Sequence, residues 1–100
     1  MAVLIVDVAD REHLSLSNAL YGALSEWVIH RTVDGELRDR VEVAQWNHLL
    51  DLAEFSVQQR RELAAHVLAL RENMEAERGA MVMPALLQHL EQVGRFIQSQ

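Results

Sequence analysis

Five histidines in 100 residues are the side chains of this chain best suited to chemistry, and their spacing to carboxylates decides which chemistry is open to them. Glu26 and His30 are four residues apart, as are Glu62 and His66, so each pair would share one face of a helix. A di-metal site in a helical bundle needs Glu-x-x-His elements, and the sequence contains none. The Glu62–His66 pair is therefore interpreted as a surface ion pair, and the sequence predicts no metal ligands and no cofactor.

His48 lies at the centre of an apolar stripe along a predicted helix. At helical spacing the stripe consists of Leu37, Val41, Ala44, Leu52 and Phe55. If the stripe is buried, the imidazole is expected to be a neutral core or interface histidine bonded to a backbone carbonyl. The functional alternative is a pH-sensitive interface, because protonating a buried imidazole costs free energy and association would weaken below about pH 6.

Other catalytic patterns find little support, and the sequence predicts a protein that is not an enzyme, with no catalytic residues. No serine stands in a Gly-x-Ser-x-Gly elbow, cysteine is absent, and four scattered glycines cannot form a phosphate-binding loop. Asp7 and Asp10 could do acid–base work only inside a cleft that shifts a pKa. A small metal-dependent or acid–base enzyme is kept as the third function class.

The charge balance favours a protein partner over nucleic acid or lipid. Nine arginines, no lysine and fifteen acidic residues give a formal charge of −6 and an isoelectric point near 5.2. Clustered cations, which supply affinity for phosphate and for anionic lipid, are missing, whereas an acidic surface attracts a basic protein. Arg60 and Arg61 begin a predicted helix and could face DNA, so a DNA-binding transcriptional regulator is the alternative function.

Apolar periodicity predicts a mainly α fold, a small four-helix bundle-like domain with a short N-terminal strand or extended arm. Ser15 or Ser17 can cap the first helix, and Ser56 with Gln59 three residues later forms a capping-box pattern before the third. The helices are expected over residues 15–32, 36–55, 57–78 and 84–98 of a single domain, 1–100.

The third and fourth helices are expected to form an antiparallel hairpin, because the link between them is short. Along the third helix a helix–helix seam is predicted from apolar residues that step by four and three, namely Leu63, Val67, Leu70 and Met74. Gly79 is a predicted C-terminal cap, and Pro84 suits the first turn of the last helix.

Residues 1–10 are predicted to form a strand or arm, because the segment from Val3 to Val8 is apolar and rich in β-branched side chains. Three arrangements are open to this segment. A hairpin over residues 28–43, turning at Asp34 and Gly35, could take it as a further strand. Alternatively, the strand pairs with another molecule, or the segment packs over the helices as an arm.

The apolar start of the chain predicts neither export nor membrane contact. It meets Asp7 early, no basic residue precedes it, and it is far shorter than the roughly 20 apolar residues of a membrane span. A cytoplasmic protein is therefore expected.

The second helix is apolar on two sides, which predicts either a central position or an interface. Its second apolar side supplies the interface candidates Val43, Trp46, Leu49 and Leu50. We expect a homodimer that buries this second side, with Trp46 and Leu50 as its anchors, since aromatic side chains in buried patches dominate interface energetics. The sequence thus predicts a non-enzymatic, acidic protein-binding module that associates with itself and with another protein, as a regulator, an inhibitor or an immunity-type neutraliser.

Overall fold

A computed structural model describes residues 2–7, 12–78 and 84–99, which form four α-helices and a three-stranded sheet. The strands are β1 (Ala2–Asp7), β2 (Glu12–Ser17) and β3 (Leu49–Asp51). The helices are α1 (Asn18–Ile29), α2 (Gly35–Asn47), α3 (Val57–Arg78) and α4 (Pro84–Ser99), with a 3₁₀ turn at Leu52–Glu54. The predicted mainly α class with a short N-terminal strand is confirmed.

Strand β1 is the centre of the sheet, in the order β2-β1-β3, and finds both partners within the chain. It runs antiparallel to β2 and parallel to β3. None of the three arrangements predicted for this segment is right, because its partners are β2 and β3. The signal that was missed is the alternation of polar and apolar residues in Glu12–Ser17, which has the period of two of a half-buried strand.

The two faces of the sheet differ in burial. Val3 and Leu16 are paired on the face covered by helices, and both are fully buried. Leu4 pairs with Leu49 on the opposite face, where both side chains are exposed. Because side chains alternate along a strand, this register places Leu50 on the buried face beside Ile5.

Helix α1 begins at Asn18, three residues later than predicted, because residues 15–17 belong to β2. The Ser17 hydroxyl caps it, accepting the Leu20 amide at 3.2 Å. The hairpin considered over residues 28–43 is wrong. Asp34 instead caps α2, its Oδ1 accepting the amides of Glu36 and Leu37 at 3.0 and 3.1 Å.

Helix α2 ends at Asn47, so the predicted helix over 36–55 is too long. His48 stops it in the left-handed conformation, at φ 58° and ψ 25°. The chain then supplies β3, whose pairing with β1 satisfies backbone groups that a longer helix would have left unpaired on β1. The two-sided apolar pattern arose because a helix and a strand with different buried faces were read as one helix.

Helices α3 and α4 form the predicted antiparallel hairpin. The capping box is confirmed, with Ser56 and Gln59 exchanging hydrogen bonds of 2.9 and 3.1 Å. The seam is confirmed, with Leu63, Val67 and Leu70 buried and Met74 packed against the core. Arg71 Nε donates to the Leu87 carbonyl at 3.1 Å, while Val67 and Leu68 lie beside Gly94. The predicted cap at Gly79 lies outside the described residues.

Tyr21 ties α1 to α2 inside the core. Its hydroxyl donates to the Val41 carbonyl at 2.8 Å, and the whole side chain is buried. Burial raises the pKa of Tyr21 well above its ordinary range, so the phenol remains a donor at every physiological pH.

Asp34 should make the stability of the protein depend on acid pH. Its pKa is lowered, chiefly by the hydrogen bond from the Leu37 amide, with the Gln59 side chain and the Glu36 amide adding to it. The stabilisation is therefore present above the unfolded pKa, about 4, and is lost as pH falls through the lower folded pKa. Asp34→Asn keeps a capping oxygen but removes the charge. We expect the stability of this variant to fall less steeply at acid pH.

The measurement is urea unfolding of both proteins over a pH series. The gap in unfolding free energy between wild type and Asp34→Asn should be widest above about pH 4 and shrink below it. Profiles that stay parallel through the acid range would contradict this role for the carboxylate.

Candidate protein-binding surface

Large apolar side chains are exposed around the C-terminal end of α2. Val43 and Trp46, three residues apart on the helix, are 51% and 79% exposed, and Leu49 is 45% exposed at the start of β3. Leu4, 39% exposed, continues the patch on the next strand, where it pairs with Leu49. We call these four residues the α2-end surface. Grouped apolar exposure of this kind marks interaction sites more often than scattered apolar residues do.

Three of the four predicted interface residues lie on this surface, and Leu50 does not. Leu50 was also predicted there, but it is only 2% exposed and belongs to the hydrophobic core rather than to this surface. The reason is the change from a helical to a strand period after His48. In β3 the adjacent side chains of Leu49 and Leu50 point to opposite faces of the sheet.

A groove of about 310 Å³ opens beside this surface, between α2 and the segment from β3 to Phe55. Its apolar lining is formed by Val43, Ala44, Leu49, Leu50 and Phe55. The volume is at the lower end of the range of ligand pockets, enough for one or two side chains of a partner.

The polar lining of this groove is mainly acidic, and we call it the acidic groove. Asp39, Asp51 and Glu54 contribute carboxylates, and Arg40 contributes a guanidinium. Arg40 is already engaged, with Glu54 at 2.9 Å and Glu36 at 3.4 Å. Sequence reasoning missed these residues, because only the folding of the segment after α2 brings Asp51 and Glu54 alongside α2.

His48 lies on the other flank of α2, in a hollow of about 280 Å³ lined also by Asn18, Gln45 and Trp46. Its carbonyl accepts the Leu4 amide at 3.0 Å, and its ring is half-buried. The ring Nδ1 is buried and has no hydrogen-bond partner among the described residues. His48 is thus a helix-terminating residue rather than the centre of a buried stripe, and pH-sensitive association remains a prediction that His48→Leu can test.

The two Glu–His pairs differ in their surroundings. Glu26 and His30 are 4.0 Å apart on an exposed face. Glu62 and His66 are 3.1 Å apart and partly buried, and Glu62 also accepts a hydrogen bond from the Thr32 hydroxyl. The second pair therefore fastens α3 to the turn before α2 rather than lying freely on the surface. Within the described ranges, no three histidine, aspartate or glutamate side chains are placed to hold a metal ion. The side chain of Asp7 and the whole of Asp10 lie outside the described residues.

The arginines at the start of α3 have separate environments. Arg60 Nε donates to the Leu52 carbonyl at 3.0 Å, which joins α3 to the 3₁₀ turn. Arg61 is exposed. Of the two cations considered for DNA contact, one is thus engaged in holding the fold together.

No protein-family model, curated protein or solved structure matches this chain. Among the described helices, none combines the length and the apolar character needed to cross a membrane.

Proposed function

We propose that this protein is a small acidic protein-binding module without catalytic activity, which forms a homodimer and engages a second protein. A regulator, an inhibitor or an immunity-type neutraliser acting in the cytoplasm fits this role. The observation that carries the proposal is the apolar exposure of the α2-end surface, where Trp46 stands 79% exposed.

Association is favoured energetically because the α2-end surface is apolar and is otherwise in contact with water. Burial of apolar area contributes about 25 cal/mol per Å², and a tryptophan at the centre of an interface often supplies a large share of the binding energy. Trp46 lines the hollow beside His48, on the flank of α2 away from the groove, and can serve as this anchor. Most of the Trp46 side chain is exposed and so contributes little to the core. This exposure favours a role in association.

Trp46→Glu should therefore produce monomers without unfolding the protein. We expect the dimer to weaken by about thirtyfold or more, the effect of removing a hot-spot side chain. Multi-angle light scattering over a range of concentrations measures this, and circular dichroism checks that the helices remain.

Val33→Glu is the matched control, because Val33 is fully exposed in the turn before α2, at the opposite end of that helix. It adds the same charge and should leave the dimer intact. A wild-type protein that is monomeric at high micromolar concentration would refute the homodimer.

A further inference from the structure

We propose that the acidic groove binds an extended, cationic segment of a partner protein, which inserts an apolar side chain between α2 and β3. The inference rests on the proposed function, since it assumes a protein-binding module, and it names the chemistry of the partner. Three features of the groove support it: its charge, the open edge of β3, and its unsuitability for a second copy.

The charge of the groove is unbalanced. Three carboxylates and one guanidinium line it, and the guanidinium of Arg40 is shared between Glu54 and Glu36. Asp51 accepts the Ala53 amide at 2.9 Å through one oxygen, which leaves its second oxygen for a partner. Asp39 has no hydrogen bond or ion pair with any described residue. Lysine or arginine side chains of a partner would complement these two carboxylates.

Strand β3 lines the groove and is the outer strand of the sheet, in the order β2-β1-β3. The groove therefore lies beside an edge of the sheet. The Leu4 amide donates to the His48 carbonyl, so that carbonyl points toward β1. Backbone groups of successive residues alternate in direction along a parallel strand, and the amide and carbonyl of Leu49 therefore point away from β1. An extended segment could hydrogen bond to this edge, and its alternate side chains would reach Val43 and the carboxylates.

A second copy of this chain is a poor occupant of the groove. A two-fold interface places the same patch of each subunit against the other, so the carboxylates of one acidic groove would face those of the second. The formal charge of −6 adds to that repulsion. The homodimer proposed above is therefore expected to use the Trp46 flank of α2 and to leave the groove available.

The test uses the full-length protein and a short synthetic peptide of alternating lysine and leucine. Isothermal titration calorimetry should show binding that weakens as salt increases, because exposed ion pairs are screened. Peptides that alternate glutamate with leucine, or lysine with serine, should bind far less, since each lacks one half of the proposed complementarity.

Asp39→Asn combined with Asp51→Asn should weaken the lysine–leucine peptide by about three- to tenfold, the effect expected from two exposed ion pairs. Asparagine at position 51 keeps an oxygen for the Ala53 amide. The matched control is Glu72→Gln combined with Glu77→Gln, which removes the same charge from α3 and should leave binding unchanged. Leu49→Thr should weaken binding by a similar factor, because it removes apolar surface from the lining of the groove.

Failure of wild type to bind the lysine–leucine peptide would overturn the inference, as would equal binding of the glutamate–leucine peptide. Stronger self-association of the Asp39→Asn and Asp51→Asn protein would identify a second copy as the occupant and would also overturn it. The proposed dimer is judged separately. Trp46→Glu should bind the peptide with wild-type affinity even as a monomer, so either proposal can fail while the other stands.

Discussion

Leu50→Ala should lower the free energy of unfolding by about 2–5 kcal/mol, whereas Leu49→Ala, one residue earlier, should change it by less than about 1 kcal/mol. Leu50 is 2% exposed and sits beside Ile5 in the core, so truncation leaves a cavity. Leu49 is 45% exposed on the opposite face of the sheet, so its truncation mainly removes surface that is already in water. Urea unfolding followed by circular dichroism measures both values.

The two substitutions are each other's control, because they make the same chemical change at adjacent positions. The order of effects should reverse in binding experiments, where Leu49→Ala weakens the lysine–leucine peptide more than a folded Leu50→Ala protein does. Equal losses of stability would contradict the register of β3 against β1.

Gly94→Val should destabilise the protein by about 1–3 kcal/mol, the usual cost of forcing extra atoms into a packed contact. A Cβ at this position would lie 2.9 Å from Leu68 Cδ2 and 3.0 Å from Leu68 Cγ. These distances are well inside the optimal carbon–carbon separation of about 3.5–4.0 Å. The close approach of α3 and α4 therefore depends on the absence of a side chain at position 94.

A double-mutant cycle measures this contact. Adding Leu68→Ala to Gly94→Val should recover part of the lost stability, because it removes the side chain that the valine meets. Gly22→Val is the matched control, since a Cβ at Gly22 meets only the Gln45 side-chain nitrogen, at 3.4 Å. Strictly additive effects at positions 68 and 94, or an equal loss from Gly22→Val, would contradict the proposed contact.

Sequence patterns predicted caps and helix seams well, because these features depend on residues only three or four positions apart. The exchange of hydrogen bonds between Ser56 and Gln59 and the buried seam of α3 could be read from spacing alone, since both lie within one helix. Ser17 was one of two proposed caps for α1, and the structure selects it. Period and capping chemistry act over three or four residues, which is the range that sequence patterns report.

The candidate site was only partly predictable. Val43, Trp46 and Leu49 were recognised as apolar residues in excess of what one helix face needs, but Leu50 was grouped with them. Asp39 and Asp51 gave no signal, because they are twelve positions apart and meet only around the groove.

The sequence by itself determined the mainly α class, the helix hairpin at the C-terminal end of the chain, the acidic charge and the surplus of apolar residues near the end of α2. Only the tertiary structure decided where α2 stops and what β1 pairs with. Pairing in a sheet is non-local, and it turned Leu49–Asp51 from an apparent helix into the parallel neighbour of β1. That switch buried Leu50, exposed Leu49 and opened the acidic groove beside them.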